Sequence, residues 1–136
     1  MACNLQSTHF VQVTYMSMSG PLNVVKDGDV TVVVFGPGQR HLDEVGLEAI
    51  GNQLIEVAGA ANPPKMVLDM TATEFFGSSF IEVLFRVWKR LKAQPDARFA
   101  ICGLQEYCRE VLEITHLDKL WPLCATREEA VAMTAG

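Results

Sequence analysis

The sequence predicts a single α/β domain built on a small, mixed and mostly parallel β-sheet. Short β-branched or continuously apolar runs alternate with segments whose apolar residues recur at helical spacing. An Asp-Gly step between the first two strong runs marks a hairpin, which adds an antiparallel edge. Of the 136 residues, 49% are hydrophobic and 20% charged, so the chain can bury a core.

The elements follow in order. Val11, Val13 and Tyr15 alternate with polar neighbours and read as an edge strand before the break at 17–21. Residues 1–20 are read as an N-terminal extension or extra edge strand, and 21–136 as one domain. Leu22–Val25 and Val30–Phe35 flank Lys26-Asp27-Gly28-Asp29 as the two arms of the hairpin. Gly36-Pro37-Gly38 ends the second arm as a surface turn, with Gly36 on a docking rim. Leu47, Ile50, Leu54, Val57 and Ala61 set a helix over Asp43–Ala60, stopped by Asn62-Pro63-Pro64. Met66-Val67-Leu68 suits a strand covered on both faces.

Phe80, Leu84, Val87 and Leu91 recur in a second helix over Ser79–Ala93, with Glu82, Arg86, Lys89 and Lys92 opposite. Phe99–Cys102 is a further buried strand. Leu104, Tyr107, Cys108, Val111 and Leu112 mark the apolar side of a third helix, and Trp121–Cys124 a short strand. Thr126-Arg127-Glu128-Glu129 has capping-box spacing and opens a last helix through Met133.

The charge is unevenly spread. Eleven Lys and Arg against sixteen Asp and Glu give a net charge of −5, which argues against a protein that grips nucleic acid by its phosphates. Within this acidic chain, Arg86, Lys89, Arg90 and Lys92 crowd one stretch. They fall in the last turns of their helix, where cations complement the macrodipole. No secretory signal or bilayer-length apolar run is present, so the expectation is a soluble, cytoplasmic protein. Cys3, Cys102, Cys108 and Cys124 form no Cys-x-x-Cys pair, and His9, His41 and His116 are scattered. Reduced, buried thiols are expected, with no metal and no cofactor.

Asp69 through Phe80 links a central strand to a helix start, where open α/β folds gather their sites. Ser78 and Ser79 stand at that start. Ser79-x-x-Glu82 matches a capping box, so helix capping, at roughly 1 kcal/mol, is the plain reading of both serines. Phosphorylation is the functional one. Asp69 lacks the companion carboxylates and lysine of a phosphoacceptor site, and reads as a structural loop residue that hydrogen-bonds the turn after it. No nucleophile is paired with His41, so no enzyme is read here.

These residues resemble a known family. Asp69 through Leu84 looks like the signature loop and helix of STAS domains, bacterial anti-sigma-factor antagonists in particular. The stretch Arg109–Pro122, followed by Thr126–Ala130, is the stronger match, and the likeness covers Leu22 to Ala132. It implies a STAS-type fold with an N-terminal hairpin and about four α-helices. In that family a serine in a D-S-[ST]-G motif is phosphorylated by an anti-sigma-factor kinase and dephosphorylated by a phosphatase. The unphosphorylated antagonist binds the anti-sigma factor and frees the sigma factor. The matching serine is Ser78, and the implied partner-binding set is Gly36, Gly77, Ser78, Ser79 and Phe80. Gly77 stands where the family has Asp, Phe80 where it has Gly, and His116 where Gly is common. Phe80 therefore either alters the docking surface or packs into the core. The alternative function is a non-phosphorylated scaffold or interaction subunit of a larger signalling or transport complex. A homodimer is compatible with either; direct contact with nucleic acid or membrane is expected of neither.

Overall fold

A computed structural model describes residues 20–43 and 46–135. The edge strand read at Val11–Tyr15 lies outside these residues, as do Cys3 and His9.

The hairpin forms as β1 (Asn23–Asp27) and β2 (Val30–Val34), paired antiparallel from Asn23 opposite Val34 to Asp27 opposite Val30. Lys26 and Asp27 thus belong to the first arm. The loop is Gly28-Asp29 alone, and Gly28 takes φ 62°, which an L side chain would resist. A short 3₁₀ turn (Pro37–Gln39) leads to β3 (His41–Leu42), then α1 (Leu47–Ala60), β4 (Lys65–Asp69), β5 (Phe75–Phe76) and α2 (Ser78–Leu91). The rest is β6 (Arg98–Cys102), α3 (Glu106–Ile114), a 3₁₀ turn (Leu117–Lys119), β7 (Leu123–Cys124) and α4 (Arg127–Ala135).

The main sheet runs β1-β2-β4-β6-β7, with every pair after the hairpin parallel. A second, two-stranded sheet pairs β3 with β5 in parallel. Neither β3 nor β5 stands out in the sequence. The first helix begins at Leu47 rather than Asp43 because β3 occupies His41–Leu42 and Gly46 is the N-cap. The second runs from Ser78 to Leu91 rather than from Ser79 to Ala93.

Strand alternation sorts the core into two layers. Met66 and Leu68 of β4, Phe99 and Ile101 of β6, and Phe35 just after β2 pack with α1 and α2. The opposite face carries smaller groups: Val30, Val32, Val67, Ala100, Cys102 and Cys124, met by Ala130 of α4. Small side chains there let the short helix α4 lie close to the sheet. Burying a Leu- or Phe-sized side chain contributes about 1.5–3 kcal/mol, so the larger layer holds most of the fold's stability.

Candidate functional site

All parallel strands end on one side of the molecule, and the loops that leave them make the site. The chain after β4 is held first. Asp69, the last residue of β4, accepts hydrogen bonds from the Thr71 hydroxyl (2.6 Å) and backbone N–H (3.2 Å). This is the loop-holding role expected of it. Its other oxygen, Oδ2, lies 3.0 Å from Arg127 Nε and 2.9 Å from Arg127 Nη2 at the start of α4. Burial alone would raise the Asp69 pKa, but hydrogen bonds from Thr71 and Arg127, with the Arg127 charge, hold it below its ordinary value. Gln105 Nε2 donates to the Thr71 carbonyl at 2.9 Å. Gly103, at φ 74°, sits where any Cβ would strike Thr71.

The next turn is pinned from the other side. The Thr73 hydroxyl donates to the Gln39 carbonyl at 3.0 Å, and the Glu74 N–H to the Arg40 carbonyl at 2.8 Å. The β3–β5 pairing sets His41 beside Phe75 and Leu42 beside Phe76. Gln39 folds back to accept from the Gly36 N–H at 2.8 Å, closing the predicted turn on itself.

This scaffold presents Ser78 exposed, as the first residue of α2. Ser79 is half-buried. Neither serine is the N-cap. Gly77 holds that position, at φ −109° and ψ −170°, and supplies no side chain to it, so the expected capping box through Ser79 and Glu82 is corrected. No acidic residue lies in the first turn, whereas Lys89 and Arg90 lie in the last, in keeping with the macrodipole reading of the basic stretch. Leu42, Asp43, Phe75, Gly77, Ser78 and Ser79 line one shallow depression. Gly36 is not among them.

Phe80 is corrected as a surface residue. It is 0% exposed, 5.9 Å edge-on from Phe35 and 5.1 Å from Phe76 between ring centroids. Of its two readings, core packing is the one the structure takes, because α2 turns position 80 inward with Leu84, Val87 and Leu91. Tyr107 is displaced the other way. Placed on the apolar side of its helix by spacing, it is 48% exposed and stacks on Phe75. Three thiols are buried and free: burial pushes Cys102 up to about 12 and Cys108 up to about 11, and also raises Cys124. Among the described residues no cluster of three His, Cys, Asp or Glu side chains could hold a metal, and no helix is long and apolar enough to cross a membrane.

The STAS domain family model matches residues 21–130. An anti-sigma-factor antagonist (STAS) domain protein from Planctomyces limnophilus is 39% identical in sequence, with a TM-score of 0.80 over 85% of this chain and 98% of that one. An anti-sigma factor antagonist from Mycobacterium paratuberculosis is 27% identical, with a TM-score of 0.72 over 85% and 94%. BtrV of Bordetella bronchiseptica, a protein named as an anti-sigma factor antagonist, is 31% identical over 68 residues, which cover 50% of this chain and 58% of that protein.

Proposed function

Because the chain belongs to the STAS domain family, whose anti-sigma-factor antagonists are regulatory binding proteins and not enzymes, we propose that it acts by partner switching. In this reading it docks an anti-sigma factor with kinase activity, and phosphorylation of Ser78, reversed by a phosphatase, ends the docking. The observation that carries it is that Ser78, the residue matched to the motif serine by the sequence resemblance, is exposed as the first residue of α2. A phosphate there brings about −1.5 to −2 charges to a positive helix end, so the fold accommodates it. A partner seated on the same loops meets a new anion.

The test is direct. The protein is incubated with anti-sigma-factor kinases of the same organism and ATP, and the product is mapped by mass spectrometry. Phosphate on Ser78, and its loss in Ser78→Ala, is the expected result. No phosphate on Ser78 with any of them overturns the switch. A second reading, a scaffold subunit without phosphoregulation, is favoured by Gly77, which removes the carboxylate beside the serine. It predicts that Ser78→Ala and Ser78→Asp bind the partner equally. Under the switch, Ser78→Asp alone loses binding.

A further inference from the structure

The end of the molecule that carries Ser78 also carries an exposed aromatic pair. Phe75 of β5 and Tyr107 in the first turn of α3 lie 5.5 Å apart between ring centroids, with planes 20° from parallel. They are 40% and 48% exposed. Single exposed apolar side chains are ordinary on a protein surface; here two rings from separate elements stack on each other and stay partly exposed together. His41 braces Phe75 edge-on at 6.5 Å and 90°, and itself faces Glu74 at 3.5 Å. Phe75 also lines the depression that holds Ser78 and Ser79, so the aromatic surface runs into the switch serine.

The charge around the pair is negative. Glu106 and Glu110 are exposed on α3, one residue before and three after Tyr107, and the second of these spacings shares its helix face. Neither forms an ion pair among the described residues, whereas the nearby cations are taken: Arg109 by Glu113 at 3.1 Å, and Arg40 by Glu74 at 4.0 Å. The exposed parts of two stacked rings, on a helix face that also carries Glu110, suit a cation on an apolar stem, whose charge meets the rings while its methylenes cover them. Aromatic residues at the centre of a patch also carry a disproportionate share of interface energy.

We propose that the Phe75–Tyr107 pair anchors the docked anti-sigma factor by receiving one of its arginine or lysine side chains, an inference that rests on the partner-switching reading. A phosphate on Ser78 places a stronger anion in the adjoining depression. The partner's cation then leaves the rings for it, and the fit of the two surfaces is lost.

Calorimetric titration without ATP, against the organism's anti-sigma-factor kinases, tests the anchor. Phe75→Ala and Tyr107→Ala should each weaken binding by about tenfold or more, at unchanged melting temperature. Tyr107→Phe, which keeps the ring, should bind as wild type. Added salt should weaken wild-type binding, and less so in the Glu106→Gln, Glu110→Gln double variant. Should Phe75→Ala fail to fold, the exposed helix position in Tyr107→Ala decides alone. Wild-type affinity in the alanine variants, with Ser78→Asp abolishing binding, overturns the anchor and leaves the switch standing. Binding by none of the kinases overturns both. A wild-type dimer that Tyr107→Ala dissociates in sedimentation assigns the surface to a second copy of the chain and also overturns the anchor.

Discussion

Arg127, the first residue of α4, contacts the same oxygen of Asp69, the last residue of β4, through Nε at 3.0 Å and Nη2 at 2.9 Å. The contact joins two layers of the fold, since α4 covers one face of the sheet and Asp69 starts the loop that leads to Ser78. Asp69 has only 10% of its side chain exposed, while Arg127 keeps 39%. Losing Asp69 removes the Thr71 bonds as well, whereas an unpaired Arg127 can rehydrate. Asp69→Ala should therefore cost about 2–3 kcal/mol and Arg127→Ala about 1–2 kcal/mol. The double variant should cost less than the two together, because both break one contact. Urea denaturation of the four proteins measures the coupling.

The same contact sets a pH dependence. The folded-state pKa of Asp69 lies below its ordinary value of 3.8. Between those two values the unfolded chain binds the proton more readily than the native one, so stability rises with pH across that window. The contribution is complete above about pH 5 and is lost as pH falls through the depressed pKa. Arg127→Ala removes part of the depression. The stability gap between wild type and Arg127→Ala should therefore be full at neutral pH and shrink below pH 3.8, as thermal melts across that range would show.

Much of this was legible in the sequence, and the rest had definite reasons to stay hidden. The helices α1 and α2 each keep an apolar stripe through 14 residues, and Thr126 opens α4 as its spacing suggests, its hydroxyl accepting from the Glu129 N–H at 3.2 Å. By contrast, β3 and β5 are two residues each and exist only because His41–Leu42 and Phe75–Phe76 find one another across the fold. Arg127 and Asp69 are 58 positions apart, and no local pattern joins them. Tyr107 shares helical spacing with buried neighbours, yet α3 turns it toward Phe75, an aromatic partner that only tertiary structure supplies. The serines matched a capping box in letters. Glycine one position earlier took the cap, and that choice leaves Ser78 exposed.

His116 offers a test of backbone strain. It follows the C-cap of α3 with φ 63° and ψ 20°, a left-handed conformation that costs a non-glycine residue about 1 kcal/mol. Its backbone N–H donates to the Glu113 carbonyl at 3.0 Å, which any residue in this conformation preserves. The side chain is exposed and not needed for the core. His116→Gly should therefore stabilise the protein by about 0.5–1 kcal/mol, read as a higher urea midpoint at unchanged slope.

Gly77 and Phe80 depart from the family motif on either side of the serines, and restoring the family residue should have opposite effects. A Cβ at Gly77 meets nothing within 4 Å, and the backbone there is extended, so Gly77→Asp fits. An aspartate at this N-cap can accept from the free N–H groups of the first turn, which holds no acid at present. Gly77→Asp should stabilise the protein by about 0.5–1 kcal/mol. If a kinase reads the carboxylate beside Ser78, phosphate transfer to this variant should also be faster than to wild type. Phe80 is different in kind, because its ring fills the space between Phe35 and Phe76. Phe80→Gly removes that ring and places glycine inside a helix, at a cost of about 3–5 kcal/mol or more. That is a large part of a small domain's stability, so Phe80→Gly should melt far lower than wild type or fail to fold. A Phe80→Gly variant as stable as wild type would mean that position 80 is not the core position its burial indicates. Thermal melts of the two variants, with phosphorylation rates for Gly77→Asp, separate the departure at the helix cap from the one in the core.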